Sequence, residues 1–137
     1  MSTAKNTATN TDKSTIVATD KAPAAVGPYS QAVKAGGFLY SAGQIPLRPD
    51  GTMVEGSIAE QTEQVMSNLA AVLAAAGCGF EHVVKTTCFL TDMNDFAEFN
   101  GVYGARFGSN PPARSTVAVR GLPKGASVEV ELVARLP

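Results

Sequence analysis

In the stretch SVEVELVAR, residues 127–135, polar and apolar side chains alternate strictly from Ser127 to Leu132. Glu129 and Glu131 fall on one face of an extended chain, and the apolar side chains fall on the other: Val128, Val130 and Leu132. This period of two residues predicts a strand with one buried face. The stretch ARSTVAVRG, residues 113–121, precedes it across an LPKGA turn, so the two stretches together predict a β-hairpin.

Two helices and a further strand are predicted upstream of this hairpin. Apolar residues spaced three and four apart indicate a long helix over about Ile58–Ala76, and Gly77 supplies its C-terminal cap. HVVKTTCFL, residues 82–90, is rich in β-branched residues and predicts a strand. Asx caps in TDMND then open a second helix, which carries aromatic residues at helical spacing: Phe96, Phe99, Tyr103 and Phe107.

The N-terminal part predicts a strand over Phe38–Ile45 and a short strand in TIVAT, residues 15–19, that pairs at a sheet edge. The segment between these two strands is predicted to be rich in turns, because it contains Pro23, Gly27 and Pro28. The order β-β-α-β-α-β-β predicts an α+β domain with one mixed sheet and both helices on a single face. The other face would expose apolar side chains in a monomer, which favours self-association. A monomer with a solvated back face is the alternative.

The composition is that of an ordinary globular domain. The 137 residues are 45% hydrophobic and 17% charged with a net charge of −1, which gives no general reason to expect nucleic acid as a partner. No apolar run approaches the ~20 residues that span a bilayer, so we expect no membrane partner and a cytoplasmic location. Residues 1–14 are poor in apolar side chains and predict a disordered tail, which leaves residues 15–137 as the domain.

Few side chains suit metal or thiol chemistry. Cys78 and Cys88 are the only cysteines and lack C-x-x-C spacing, and the single histidine, His82, has no second ligand near it in the sequence. We therefore expect reduced structural thiols and no metal site. A Gly-x-Ser-x-Gly elbow and a Gly-rich phosphate loop are also missing, so chemistry would rest on carboxylates, Arg, Tyr, backbone groups and water.

Arg114 and Glu129 are the strongest candidates for such chemistry. If the face that carries Glu129 becomes an interface, its carboxylate needs a cationic partner, and Arg114 on the other strand of the predicted hairpin supplies one. The guanidinium suits bidentate capture of a small carboxylate. Its charge would lower the pKa of Glu129 and keep the carboxylate ionised, ready to accept a proton from water. A structural salt bridge of Arg114 and a solvated Glu129 are the alternatives.

The remaining candidates are aromatic or polar. Tyr29, which follows VGP, is either a packed aromatic residue or a substrate contact. The stripe of Phe96, Phe99 and Tyr103 is interpreted as core, and Asn100 within it as a cap or a solvent-facing residue. From composition and spacing alone, the sequence therefore predicts an α+β oligomer with a candidate anion site.

Five stretches together resemble the RidA/YjgF family, the reactive intermediate deaminases: APAAVGPYSQAV, GQIP, VVKTTCFLTDMNDFAEFN, PPARST and LPKGASVEVE. The resemblance covers about Thr15 to Arg135. It implies a chorismate-mutase-like fold assembled as a homotrimer, with active-site clefts between the subunits. It also implies hydrolysis of 2-imino acids, such as 2-iminobutanoate and 2-iminopropanoate, to 2-oxo acids and ammonia, with no metal or organic cofactor.

The resemblance assigns residue roles by position. Arg114 would grip the substrate carboxylate, and Glu129 would position and activate water. Tyr29 and Asn100 would line the cleft. Backbone groups at Gly43 and Thr116 would contact the imino nitrogen or water. Two positions depart from the common pattern, because Ala42 stands where many members carry serine and Thr116 where many carry cysteine. Backbone contacts survive both changes, whereas a hydroxyl or thiol role is lost or altered.

Two rival functions use the same surfaces. An endoribonuclease that inhibits translation, a function also attributed to some relatives, is opposed by the acidic pI near 5.8, the single histidine and the lack of a basic stripe. A non-catalytic metabolite-binding or chaperone-like trimer would use the clefts without turnover. The presence of both Arg114 and Glu129 argues against that second rival.

Overall fold

The computed structural model describes residues 15–137, and the tail predicted over residues 1–14 lies outside the described residues. Its six strands, in chain order, are β1 Thr15–Val17, β2 Ala32–Ala35, β3 Phe38–Ser41, β4 Val83–Leu90, β5 Ala113–Ala118 and β6 Val128–Arg135. The helices are α1 Ile58–Ala75 and α2 Phe96–Gly104. The order across the sheet is β1-β2-β3-β6-β4-β5. Only the β4–β5 pair is parallel, so the predicted mixed sheet, with a short strand at its edge, is confirmed.

The β-hairpin predicted over residues 113–135 does not form, because β4 lies between β5 and β6. Strand β4, helix α2 and strand β5 form a crossover unit, which lays β5 parallel to β4 on one side. Residues 119–127 then cross the end of β4, where the Val119 N–H donates to the Leu90 carbonyl at 2.7 Å. This connection is longer than a tight turn, so β6 can pair with β4 on its other side.

A hairpin that the sequence analysis missed joins β2 to β3 through Gly36 and Gly37. Both glycines have positive φ angles, 60° and 86°, as the two-residue turns that suit strand twist require. The Gly-Gly pair between two apolar runs was the available signal. Strand β3 ends at Ser41 rather than at the predicted Ile45, because the Ser41 Oγ accepts the Leu132 N–H at 3.0 Å in place of a backbone carbonyl.

Helix α1 confirms the prediction to within one residue at its end. It begins with a capping box, in which the Ser57 Oγ accepts the Glu60 N–H at 3.1 Å and the Glu60 carboxylate accepts the Ser57 N–H at 2.8 Å. Beyond its end, Gly77 adopts a φ of 80°, which suits glycine. One face of the helix is buried: Ile58, Thr62, Val65, Met66, Asn68, Leu69, Val72 and Leu73.

Both helices cover the same face of the sheet. Helix α1 packs against α2 and β6, and the Tyr103 hydroxyl of α2 lies 2.6 Å from the Thr86 Oγ1 of β4. Thr86 pairs with Leu132, which is buried with the other apolar side chains of β6. The opposite face carries exposed apolar side chains, among them Ile16, Tyr40 and Val117. The chain alone therefore leaves an apolar face uncovered, as the strand patterns predict.

Within residues 15–137, no helix has the length and apolar character needed to cross a membrane. The same residues contain no group of three or more His, Cys, Asp or Glu side chains that could hold a metal ion. Cys78 and Cys88 are buried free thiols.

Candidate active site

Arg114 lies on the edge strand β5 and points to the helix-covered side, where α2 contacts it. Its Nη1 donates to the Asn100 Oδ1 at 2.7 Å, and its Cζ lies 5.2 Å from the ring centroid of Phe96 and 4.9 Å from that of Tyr103. Positions 96, 100 and 103 recur at helical spacing, so one face of α2 presents the amide and both rings. A guanidinium over ring faces is favoured electrostatically. These contacts fix the direction of the Arg114 side chain.

The structural salt bridge considered for Arg114 is wrong for this chain. Among residues 15–137, Arg106 forms an ion pair with Glu63 and the His82 ring approaches the Glu81 carboxylate, but Arg114 forms no ion pair. The interpretation of the aromatic stripe needs extension as well. Phe99 and Tyr103 are buried core residues, but Tyr103 and the half-buried Phe96 also hold the guanidinium. The i, i+4, i+7 spacing of Phe96, Asn100 and Tyr103 was the sequence signal for this shared face.

Thr116 lies two residues beyond Arg114 on the same side of β5. Its Oγ1 is buried beside the Cys88 thiol, so the hydroxyl faces the interior. Its register partner on β4 is Cys88, and burial raises the pKa of that thiol to about 11. Cys88 is therefore a neutral thiol at physiological pH and an unsuitable nucleophile. The inward hydroxyl leaves the backbone as the part of Thr116 suited to meet a ligand.

Glu129 lies on the uncovered face of the sheet. Burial raises the pKa of its carboxyl group above the ordinary value, and the Glu131 carboxylate two residues along the same face raises it further. The opposite direction was expected from the sequence, on the ground that Arg114 would lie across a hairpin. That prediction is wrong for the single chain: Arg114 pairs with Thr86, Glu129 pairs with Phe89, and their side chains point to opposite faces.

Glu129 borders a cleft of about 530 Å³. Tyr29 and Gly43 line the same cleft, together with Lys124 and several apolar residues: Pro23, Ala24, Val26, Ala42, Ile45, Leu47 and Pro123. Tyr29 is 54% exposed, so the packed-aromatic alternative does not hold within this chain. Its backbone N–H donates to the Gly27 carbonyl at 2.9 Å, in a turn where Gly27 adopts a φ of 125°.

Gly43 touches the Glu129 carboxylate closely. A Cβ at this position would overlap the carboxylate and lie 2.8 Å from its Cδ. The backbone beside Gly43 is fixed, because Gln44 and Val130 exchange two hydrogen bonds of 2.9 and 3.1 Å. Only a residue without a side chain lets the Glu129 carboxylate rest against this backbone. Gly43 is thus a structural requirement of the cleft, whatever its backbone groups contact.

The six predicted site residues fall into two groups of three. The cleft group consists of Tyr29, Gly43 and Glu129. The arginine group consists of Asn100, Arg114 and Thr116, and none of its members lines the cleft. A second groove of about 620 Å³ also includes Tyr29, is lined by residues 16–20, 24–25 and 29–31, and contains no other predicted site residue. A single chain brings together each group but not the complete site.

The fold and cleft define a class of small α+β proteins, in which a mixed six-stranded sheet carries two helices on one face and a carboxylate in a cleft at the other. The sequence model of the endoribonuclease L-PSP family matches residues 19–136, so the chain belongs to this family. The resemblance to RidA/YjgF proteins is thereby confirmed.

Individual relatives match over most of their length. A RutC family protein of Synechocystis is 54% identical over 125 residues, which cover 89% of this chain and 96% of the relative. The human 2-iminobutanoate/2-iminopropanoate deaminase is 48% identical over 120 residues, covering 87% and 88%. The crystal structure of E. coli TdcF with bound serine superposes with a TM-score of 0.83 at 37% identity, covering 88% of this chain and 97% of TdcF.

Proposed function

We propose that this protein is a homotrimeric hydrolase of 2-imino acids, with each active site formed by the cleft group of one copy and the arginine group of another. The observation that carries the proposal is the separation of these groups within one chain. The cleft has a carboxylate of raised pKa, while the arginine group has an oriented guanidinium without a carboxylate partner among the described residues. The human relative named as an imine deaminase supports the reaction class.

The uncovered sheet face supplies the surface for assembly. Across the register, one row of this face is largely apolar and runs over four strands: Ile16, Val33, Tyr40 and Val133. Burying it against another copy removes apolar area from water, which stabilises an oligomer by roughly 25 cal/mol for each Å². Within residues 15–137 strand β5 is the edge of the sheet beside Arg114, so a neighbouring copy that meets this edge would also meet the arginine group. Closed symmetry would then repeat the same contact in each subunit.

The chemistry requires an anion site, a water and one base. A protonated 2-imino acid is already an electrophile, and the Arg114 fork would bind its carboxylate through two parallel hydrogen bonds. Glu129 would accept a proton from a water molecule as the water oxygen bonds to C2. The C=N electron pair would move to nitrogen and give a tetrahedral amino alcohol. A general base contributes ~10²–10⁴-fold to such a step.

The second half of the reaction reverses the direction of proton transfer. Glu129 would return its proton to the amino nitrogen, which makes ammonia the leaving group. The C–N bond then breaks, its electron pair leaves with ammonia, and the C–OH group becomes the carbonyl of the 2-oxo acid as its proton passes through Glu129 to solvent. Because burial raises the pKa of Glu129, its acid and base forms are closer in free energy at neutral pH than those of an exposed glutamate.

The other site residues would position the reactants. Tyr29 and Asn100 would line the shared cleft, and Asn100 would also hold Arg114 in place. Backbone groups at Gly43 and Thr116 would contact the imino nitrogen or water. Ala42 supplies no hydroxyl to the cleft, and the Thr116 hydroxyl faces the interior. The proposed mechanism therefore uses neither the serine nor the cysteine that many members carry at these two positions.

The test uses freshly generated 2-iminobutanoate in competition with semicarbazide. Wild-type protein should speed the appearance of 2-oxobutanoate, and Arg114→Ala and Glu129→Gln should each abolish that effect. A mixed assembly of the two variants should regain about a quarter of the wild-type activity, because random mixing in a closed ring places both intact groups at that share of sites. No acceleration by wild type would reject the hydrolase. No recovery in verified mixed trimers would reject the shared site, as would a monomer in light scattering.

The name of the family model and the serine-bound relative suggest two other outcomes. RNA cleavage that Arg114→Ala and Glu129→Gln both remove would favour the endoribonuclease, although the net charge of −1 gives little attraction for phosphates. Binding of serine or 2-oxobutanoate in calorimetry without any turnover of imines would favour a metabolite-binding trimer.

A further inference from the structure

Gln31 fastens one wall of the cleft. Residues 18–31, between β1 and β2, form no helix or strand, so their backbone groups lack the partners that a sheet would give. The Gln31 side chain is only 4% exposed and supplies several of those partners. Its Oε1 accepts the Thr19 N–H at 2.7 Å, and its Nε2 donates to the Thr19 carbonyl at 3.0 Å and to the Pro23 carbonyl at 2.7 Å. Pro23 lines the cleft.

Asn68 fastens a second segment of the cleft lining. This side chain of α1 is 1% exposed, and its Nδ2 donates to the Ile45 carbonyl at 3.2 Å and to the Leu47 carbonyl at 2.8 Å. Ile45 and Leu47 line the cleft. The Gln64 Nε2 donates to the Asn68 Oδ1 at 2.9 Å, which orients the amide so that its N–H groups face the wall. A buried amide aligned in this way has little freedom to move.

We infer that Gln31 and Asn68 are positioning residues that set the distance between the two apolar walls of the cleft, and thereby select 2-imino acids by the size of their side chain. The inference rests on the proposed function. The walls contain aliphatic side chains, Val26 of one and Ile45 and Leu47 of the other, so an imino acid side chain would lie between them. When the walls of an apolar pocket cannot move, one methylene more or less in the substrate changes the ratio of kcat/KM values between two substrates about 10–200-fold.

Neither amide touches the reacting atoms in the proposed mechanism. Gln31 acts through backbone groups of Thr19 and Pro23, in a segment with few other backbone hydrogen bonds. Asn68 acts through the carbonyl groups of Ile45 and Leu47, so losing either donor should loosen the segment that it holds. A loosened wall accepts a wider range of side chains and binds each one less well. The expected signature is therefore a change in KM that depends on substrate size, together with a local change in backbone protection.

The test variants keep the side-chain shape and remove the hydrogen-bond donors. Gln31→Glu and Asn68→Asp retain the acceptor oxygen and replace the amide nitrogen, and Gln31→Met is used if the buried acid prevents folding. The control is Asn94→Asp, at an exposed position. Hydrogen–deuterium exchange should accelerate at least tenfold in residues 18–29 for the Gln31 variants and in residues 42–54 for Asn68→Asp, with no change in Asn94→Asp. Urea unfolding measures global stability in parallel.

Kinetics then test size selection with 2-iminopropanoate and the imino acid that corresponds to leucine. The ratio of the two kcat/KM values should move at least threefold towards one in each donor-removing variant, mainly through KM. Unchanged exchange, or faster exchange with an unchanged ratio, would overturn the inference. Calorimetry with 2-oxopropanoate and 4-methyl-2-oxopentanoate repeats the comparison without turnover. If the wild-type protein neither hydrolyses the imino acids nor binds the oxo acids, both the proposed function and the size selection are rejected. The exchange rates still decide whether the two amides hold the walls of the cleft.

Discussion

The Arg114 guanidinium and the Glu129 carboxylate lie on opposite faces of one sheet, with strand β4 between their strands. This arrangement prevents the two groups from neutralising each other within a chain. Each is instead prepared separately, the guanidinium by two rings and an amide, and the carboxylate by partial burial beside a second acid. A substrate with a carboxylate at one end and an imine at the other could then meet both groups where two copies join.

Asn100 should matter because it accepts from Arg114. Asn100→Asp replaces the amide by a carboxylate of the same shape, which would form an ion pair with Arg114 and compete with the substrate carboxylate. We expect KM for 2-iminobutanoate to rise at least tenfold, or about 1.4 kcal/mol of binding free energy, with a smaller change in kcat. Asn100→Ala removes the contact without adding charge and should raise KM less. Equal effects of the two variants would contradict a role based on charge.

Gly43→Ala should displace the Glu129 carboxylate, because the added Cβ would overlap it. We expect kcat to fall by about 10²-fold if Glu129 acts as the general base, since this is the lower range of that contribution. Gly101→Ala is the matched control: an added Cβ meets nothing within 4 Å in α2, and the helix should gain up to about 1 kcal/mol in stability. Activity of Gly43→Ala equal to that of the control would rule out the proposed role of Glu129.

Most elements could be predicted from local patterns, but strand order could not. The periodicity of α1 and the β-branched run of β4 each reflect a single buried face, so sequence alone fixed their positions to within one residue. The predicted hairpin was wrong because the alternation in residues 127–135 shows which side chains are buried and contains no information about the neighbouring strand. The mistaken pairing of Arg114 with Glu129 followed directly from that error, as did the wrong direction for the pKa of Glu129.

The candidate site residues show the same limit. Arg114, Glu129, Tyr29 and Asn100 could be named because their types and positions match family motifs. The contacts of Gln31 and Asn68 join segments that are 8 to 23 residues apart, and they depend on a path through irregular chain that no periodicity describes. A buried amide in a sequence resembles an exposed one, and only the fold distinguishes them.

Lys124 should be replaceable by glycine without loss of stability. Among the described residues it alone has a positive φ without being glycine, at 57°, and it lies on the rim of the cleft. A left-handed conformation costs a residue with a Cβ roughly 1–2 kcal/mol. We expect Lys124→Gly to raise the unfolding free energy in urea by up to about 1 kcal/mol, Lys124→Asn to leave it nearly unchanged, and Lys124→Val to lower it by more than about 1 kcal/mol. Equal stability of the Gly and Val variants would exclude strain at this position.

Glu129 should also determine how stability and activity depend on pH. Within the folded chain its pKa is raised above the ordinary value of 4.5, first by burial and then by Glu131, so ionisation costs folding free energy. The folded state binds this proton more tightly than the unfolded state does, and stability therefore declines as pH rises from 4.5 through the raised pKa. Glu129→Gln should be more stable than wild type near neutral pH, and this difference should vanish below the ordinary value.

The same group should set the acid limb of activity, because only the ionised carboxylate can accept a proton from water. Glu131→Gln removes the like charge beside Glu129, so the pKa of Glu129 should fall. The acid limb of kcat/KM for 2-iminobutanoate should then move to lower pH. The exposed Glu55 provides the control variant, Glu55→Gln, in which the limb should stay where wild type has it. Profiles measured between pH 4 and 9 decide the matter: if Glu131→Gln leaves the limb in place or moves it upwards, a residue other than Glu129 titrates in the rate-determining step.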